Sequence, residues 1–326
     1  MKRATPHSFV FLIACLLIIV GAGVPPAKAA AIDYYKFGRA YILTIDGVIE
    51  KGDYSKFIQK TSDAFRLATA DFHQELEEIK RKEPAAYEYM KRTYGDLDGM
   101  VRIAVVLNSP GGDVPEAIQI GRAVKEMLIR TETGFETYND RYRDTECMSA
   151  CFFIWVSGVE RRAITRSGKN SLGIHRLFFS QAQYKELSAS QAEAEYKRIR
   201  ETAELFLKEM DVPEQYSDRM FRVPSNDVYY LSAAEIDELE GKSPYYEELL
   251  YSRCGNYTKA EKQDYYDCVI GLQGGVAHRC GTLSTEYLNY VKKKINSTED
   301  CWRDHDGIER WSRMSKFLSR YSRSGK

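Results

Sequence analysis

Apolar and polar positions alternate along this chain in ways that divide it into a few clear elements. Residues 41–50, Tyr-Ile-Leu-Thr-Ile-Asp-Gly-Val-Ile-Glu, read as a strand ending near Gly47 or Gly52. From Ser55 to about Tyr94, Phe57, Phe65, Leu67, Phe72, Leu76 and Ile79 recur among charged residues, the composition of a long helical segment. Residues 100–107, Met-Val-Arg-Ile-Ala-Val-Val-Leu, form the near-continuous apolar run of a buried parallel strand. Asp113 then offers an N-cap, with Pro115 in the first turn and Glu116 as a capping-box partner. Ala117, Ile120, Val124 and Leu128 follow at helical spacing, so strand, glycine turn and helix make the first half of a β-α-β unit. Residues 152–156, Phe-Phe-Ile-Trp-Val, predict a buried helix. Another helix is expected from Ser190, with Glu193 as box partner and Ala192, Tyr196, Ile199, Ala203, Phe206 and Met210 on one buried face. A shorter one starts at Ser232 with Glu235 and ends near Gly241. A domain boundary falls at Lys242-Ser243-Pro244, and no repeat or low-complexity tract interrupts the pattern.

The N-terminus departs from this globular pattern. Lys2 and Arg3 precede a continuous apolar run from Phe9 to Val20, and Ala27-Lys28-Ala29 is a small-x-small cleavage site. Residues 1–29 therefore read as a cleaved export signal, which makes the protein periplasmic or secreted. An uncleaved anchor needs a longer run, and a lipoprotein cysteine at Cys15 would not be followed by Leu-Leu-Ile-Ile-Val. The 326 residues carry 47 basic and 47 acidic side chains and 44% hydrophobic residues, a composition that fills a core and gives no basic field for nucleic acid.

Export changes the meaning of the cysteines. Beyond Cys15, Cys147 and Cys151 bracket Ser149, and Cys254, Cys268, Cys280 and Cys301 crowd the tail. An even number in an oxidising compartment points to disulfides. Cys147 and Cys151 either form a bridge that pins the turn at Ser149 or pack as small buried residues. The tail four pair among themselves in one of three connectivities, such as Cys254 with Cys301 and Cys268 with Cys280. No Cys-x-x-Cys pair is present, so no metal is expected. The crowding marks a small C-terminal module that needs covalent staples.

Three short stretches carry candidate chemistry. Asn108-Ser109-Pro110-Gly111-Gly112 lies between a strand and a capped helix, where bare backbone amides can stabilise a developing oxyanion. Cys147-Met148-Ser149-Ala150-Cys151 places a serine among small residues ahead of a buried helix. Leu172-Gly173-Ile174-His175 puts a histidine at the end of an apolar strand, and a serine needs such a base to become nucleophilic near neutral pH. His73, on the charged helical segment, reads as a solvated residue.

The order of these stretches, with 26 residues from Ser149 to His175, resembles the proteolytic subunit of the Clp protease and, more loosely, its signal-peptide-peptidase relatives. The resemblance covers residues 40–242 and is strongest at 101–176. It implies an α/β chain with a ClpP/crotonase-like repeated β-β-α fold over 31–242, in which 55–98 is a helical insertion or lid, followed by the cysteine-rich module at 243–326. It further implies Ser149 as nucleophile, His175 as general base, and an oxyanion hole from Gly111 or Gly112 together with Ala150. The family's orienting aspartate would fall near Pro224; Asp227 is the candidate, with Asn226 or Ser225 as substitutes and a bare dyad as the remaining option. The implied activity is an exported serine peptidase that forms an acyl-enzyme on short or unfolded peptides. It needs no cofactor, nucleotide or unfoldase partner, and a homo-oligomer is allowed. The alternative is an inactive binding or scaffold protein on the same fold. An acyl-CoA enzyme is disfavoured, since it needs no Ser/His pair and CoA is not a periplasmic metabolite.

Overall fold

The structure, a computed structural model, describes residues 28–94, 101–134, 136–138, 141–164, 171–177, 187–271 and 280–323. The expected leader up to residue 27 and positions 95–98 of the expected insertion lie outside them. An antiparallel hairpin, β1 (Ala31–Phe37) and β2 (Ala40–Asp46), starts the sheet. Strands β3 (Arg102–Asn108), β4 (Arg130–Thr133) and β8 (Glu160–Ala163) extend it in parallel, and β11 (Gly241–Lys242) closes it antiparallel to β8. The result is a six-stranded mixed sheet ordered β1-β2-β3-β4-β8-β11. A second sheet orders β10 (Tyr229–Tyr230), β9 (Leu172–Ile174) and β7 (Cys147–Met148), and β5 (Glu136–Tyr138) pairs with β6 (Arg141–Arg143). The described part of that apolar run is the strand its composition predicts, buried from Ile103 to Leu107 and paired in parallel on both sides; residue 100 lies outside the described residues.

Helix α1 (Asp53–Lys82) and helix α2 (Pro84–Tyr94) fill the expected helical segment. The first half of α1 is a structural layer rather than a lid, because Phe57, Ile58, Ala64 and Ala68 are buried in the main core. Asp113 caps α3 (Val114–Glu126) by accepting from Glu116 N at 2.9 Å. The other half of the expected box is diverted: the Glu116 carboxylate accepts from Tyr54 N at 2.9 Å and so holds the start of α1 against α3. Helix α4 (Ala150–Trp155) is buried along its whole length. Helix α5 (Ala189–Glu209) starts earlier than Ser190, because Ser188 and Gln191 exchange the reciprocal cap bonds. Helix α6 (Glu214–Arg222) follows, and α7 (Ala233–Leu239) has the Ser232–Glu235 box expected of it.

The C-terminal region comprises α8 (Pro244–Cys254), α9 (Lys259–Asp264), a π-helical turn at Tyr265–Val269 and the long α10 (Thr285–Arg323). Bridges join Cys254 to Cys301 and Cys268 to Cys280. This region is not packed apart from the rest. Met314 and Leu318 of α10 enter the main core, Trp311 lies 6.1 Å from Phe65, and Arg320 pairs with Glu126. Tyr246 is buried against Leu128 and Val159, while Tyr251 and Tyr257 lie 5.4 and 5.1 Å from Trp302, so these tyrosines serve packing. Among the described residues no helix is long and apolar enough to cross a membrane, and the three disulfides are compatible with an exported protein.

Candidate active site

The Asn-Ser-Pro-Gly-Gly stretch is a knot of side-chain and backbone bonds at the end of β3. Asn108 Nδ2 donates to Asp46 Oδ1 at 2.7 Å, and its Oδ1 accepts from Glu146 N at 3.1 Å, so one side chain joins β2 to the approach to β7. Ser109 Oγ accepts from Gly111 N at 3.1 Å and folds the turn back. Ile49 N donates to Gly111 O and Asp113 N to Ile49 O, both at 2.8 Å, which adds segment 47–49 as a third layer. Gly111 sits at φ +106°, and a Cβ there would lie 2.6 Å from Ser149 Cβ and 3.0 Å from Ala150 N. At Gly112, φ +137°, a Cβ would lie 2.1 Å from Ile49 O. Both positions therefore require glycine: Gly111 presses backbone against the serine, and Gly112 against Ile49.

Ser149 turns β7 directly into α4. Its φ of 55° and ψ of −120° are rare for a residue with a side chain. The same geometry is used to lift a nucleophilic serine above a sheet at a strand-to-helix elbow. Such a conformation costs about 1–3 kcal/mol and persists only where its surroundings enforce it. Here they do. Cys147 N donates to Ser171 O at 2.7 Å, Met148 N to Ser109 O at 2.9 Å, and Ser149 N to Gly173 O at 2.9 Å. Behind the turn, Phe152, Phe153, Ile154 and Trp155 are fully buried. The Cys147–Cys151 bridge spans the elbow with 5.2 Å between Cα atoms, and both cysteines are buried.

His175 follows β9, the parallel neighbour of β7 that pairs Gly173 with Met148. Serine and histidine thus leave adjacent strands in the same direction, and both line one cavity of about 820 Å³. His175 Nδ1 lies 2.9 Å from the Arg176 carbonyl oxygen. A carbonyl only accepts, so Nδ1 carries the hydrogen and Nε2 is the basic nitrogen. Of the oxyanion candidates, the Gly111 amide is engaged by Ser109. The amides of Gly112 and Ala150 make no hydrogen bond among the described residues, and Ala150 N heads a helix.

Asp227 is not brought into this arrangement. It is exposed, its amide donates to Pro224 O at 3.1 Å, and its Oδ1 accepts from Val228 N at 2.9 Å. Its amide closes the turn and its carboxylate is taken by the next residue's amide, although Tyr229 two residues on pairs with Ile174. Neither Asp227, Asn226 nor Ser225 lines the cavity. The cavity wall includes residues that periodicity did not single out: Val48 and Ile49 after β2, Val114 at the start of α3, and Leu177 and Leu187 near α5. Only the apolar run through Val48-Ile49 hinted at them. In the C-terminal region Cys254, Cys301 and His305 present ligand atoms within 4.8 Å of one another, but sulfurs in a bridge are not thiolate ligands. Compared with known proteins, the chain matches no family model and no curated sequence.

Proposed function

We propose that this chain is an exported serine hydrolase of ClpP/crotonase-like fold that works through an acyl-enzyme on Ser149. The observation that carries this reading is the strained, enforced elbow at Ser149, facing the Gly111–Gly112 turn and sharing a cavity with His175. Ser149 Oγ attacks the substrate carbonyl while His175 Nε2 takes its proton. The amides of Gly112 and Ala150 receive the developing oxyanion. His175 then returns the proton to the leaving group, and water repeats the sequence to release the acid. The Arg176 carbonyl does part of the work of an orienting aspartate: it holds the tautomer that leaves Nε2 basic. It lacks the charge that steadies the imidazolium, which predicts slower turnover than a full triad. The resemblance supplies the expected substrate, a peptide or unfolded segment. A second reading, an inactive binding protein on the same fold, is favoured by the place of Asp227 in its own turn.

A fluorophosphonate separates the two. The purified protein should gain one adduct, S149A none, and H175A should react at least a hundredfold more slowly. A native protein that stays unmodified would leave the binding reading standing.

A further inference from the structure

We infer that the Cys254–Cys301 bridge is a second reactive site, a thiol–disulfide exchange centre for dithiol partners in which His305 serves the departing sulfur. It stands independently of the reading of Ser149. The first observation is access, which exchange requires because a thiolate must reach the sulfur directly. Cys147 and Cys151 are fully buried at the elbow, whereas Cys254 and Cys301 are half-buried. The second is a donor beside the bridge. His305 follows Cys301 by four residues on α10, which puts both on one face of that helix. Its imidazole and the two sulfurs offer atoms within 4.8 Å of one another, and the residue is exposed. Arg253, which precedes Cys254, lines a cleft of about 130 Å³ together with His305. Glu309 lines it too, but pairs with Arg313 at 2.7 Å, so Arg253 supplies the charge that draws an attacking thiolate.

The two sulfurs are not equivalent leaving groups. Cys254 ends α8 just before Gly255 at φ +77°, where the partial negative charge of a helix C-terminus disfavours a thiolate. Cys301 lies inside α10 with His305 one turn on, where a ring N–H can donate to the developing thiolate. The better-stabilised thiolate leaves faster, so attack falls on Cys254 and expels Cys301. One thiolate of the partner bonds to Cys254 Sγ, the Cys254–Cys301 bond breaks, and its electron pair passes to Cys301 Sγ, which takes up a proton. The partner's second thiol then loses its proton and attacks the partner sulfur of the mixed disulfide, and Cys254 departs to become a thiol. The partner leaves as a disulfide, oxidised by two electrons, and the bridge is reduced to two thiols. A dithiol is the fitting partner class because it completes both steps within one complex.

The test exposes the full chain after export to dithiothreitol at pH 7 without denaturant and with a chelator present. Samples are quenched in acid, alkylated and mapped by mass spectrometry. The Cys254–Cys301 bridge should open at least a hundredfold faster than Cys147–Cys151. His305→Ala, at an exposed position, should slow that opening about tenfold, while His305→Lys, which keeps a cationic donor, should stay within about threefold of the parent. With glutathione as probe, the earliest adduct should sit on Cys254 at least fivefold more than on Cys301. Parent-like opening in His305→Ala, a loss shared equally by His305→Lys, an early adduct mainly on Cys301, or a bridge no more reactive than the buried one each overturns the inference. Fluorophosphonate labelling of Ser149 is a separate readout, so none of these results touches the nucleophile reading.

Discussion

Removing the bridge beneath the nucleophile, in C147A/C151A, should separate local geometry from global stability. The chain-entropy contribution of a bridge grows slowly with the loop that it closes. For a sequence separation of 4 it amounts to about 2 kcal/mol. For the separation of 47 between Cys254 and Cys301 it is about 4 kcal/mol. Loss of buried sulfur at Cys147 and Cys151 adds about 1 kcal/mol. The chain entropy acts on the unfolded state; in the folded protein the bridge holds the two Cα atoms 5.2 Å apart across an elbow carrying about 1–3 kcal/mol of strain, so without that restraint the elbow can relax. The fluorophosphonate labelling rate of C147A/C151A should fall at least tenfold, in buffer where the protein is folded. C254A/C301A should lose more stability by chemical denaturation, yet keep its labelling rate within about twofold. Substitution is the right perturbation, since both cysteines at the elbow are fully buried and shielded from reductant. If C147A/C151A labels within twofold of the parent while its denaturation midpoint drops, packing of α4 alone holds the elbow and the reasoning fails.

Gly111→Ala should cost about 2–5 kcal/mol and abolish labelling, since the new methyl meets Ser149 Cβ at 2.6 Å in a backbone conformation that only glycine adopts freely; a labelled, stable variant would remove the close approach from the account. Asp227→Asn should leave the labelling rate within twofold, and a hundredfold loss would restore Asp227 as the orienter of His175. Burial raises the Glu132 carboxyl, with Arg130 and Arg162 opposing. Its raised pKa stabilises the fold below the ordinary carboxylate range, and that contribution is lost as pH rises through the folded value. Glu132→Gln should therefore raise the melting temperature at pH 7–8 and have little effect at pH 4; a shift independent of pH would contradict it.

Strand β3 and helix α3 were legible because a run of buried apolar residues and a capping aspartate are local signals. The elbow was legible from small residues around Ser149 followed by an apolar block, and the bridges from an even cysteine count in an exported chain. What escaped was set by tertiary competition. Glu116 has the spacing of a box partner, but the amide of Tyr54 reaches it instead. Ser188-Gln191 and Ser190-Glu193 are overlapping caps of the same pattern, and the folded chain uses the first. Asp227 sits beside the right strand, yet the amide of Val228 takes its carboxylate. The Arg176 carbonyl could not be foreseen, because every residue carries one and only the path of the chain aims it. Nor does composition reveal that α10 returns to the main core, since its apolar residues are spread thinly along a polar helix.

Rapid-quench kinetics with p-nitrophenyl hexanoate reads whether Ser149 forms a covalent acyl-enzyme. A burst of about one equivalent of p-nitrophenol per chain is expected, with the hexanoyl mass located on Ser149 after digestion and absent from S149A. A hexanoyl group found on another residue, or turnover with neither burst nor adduct, would contradict it.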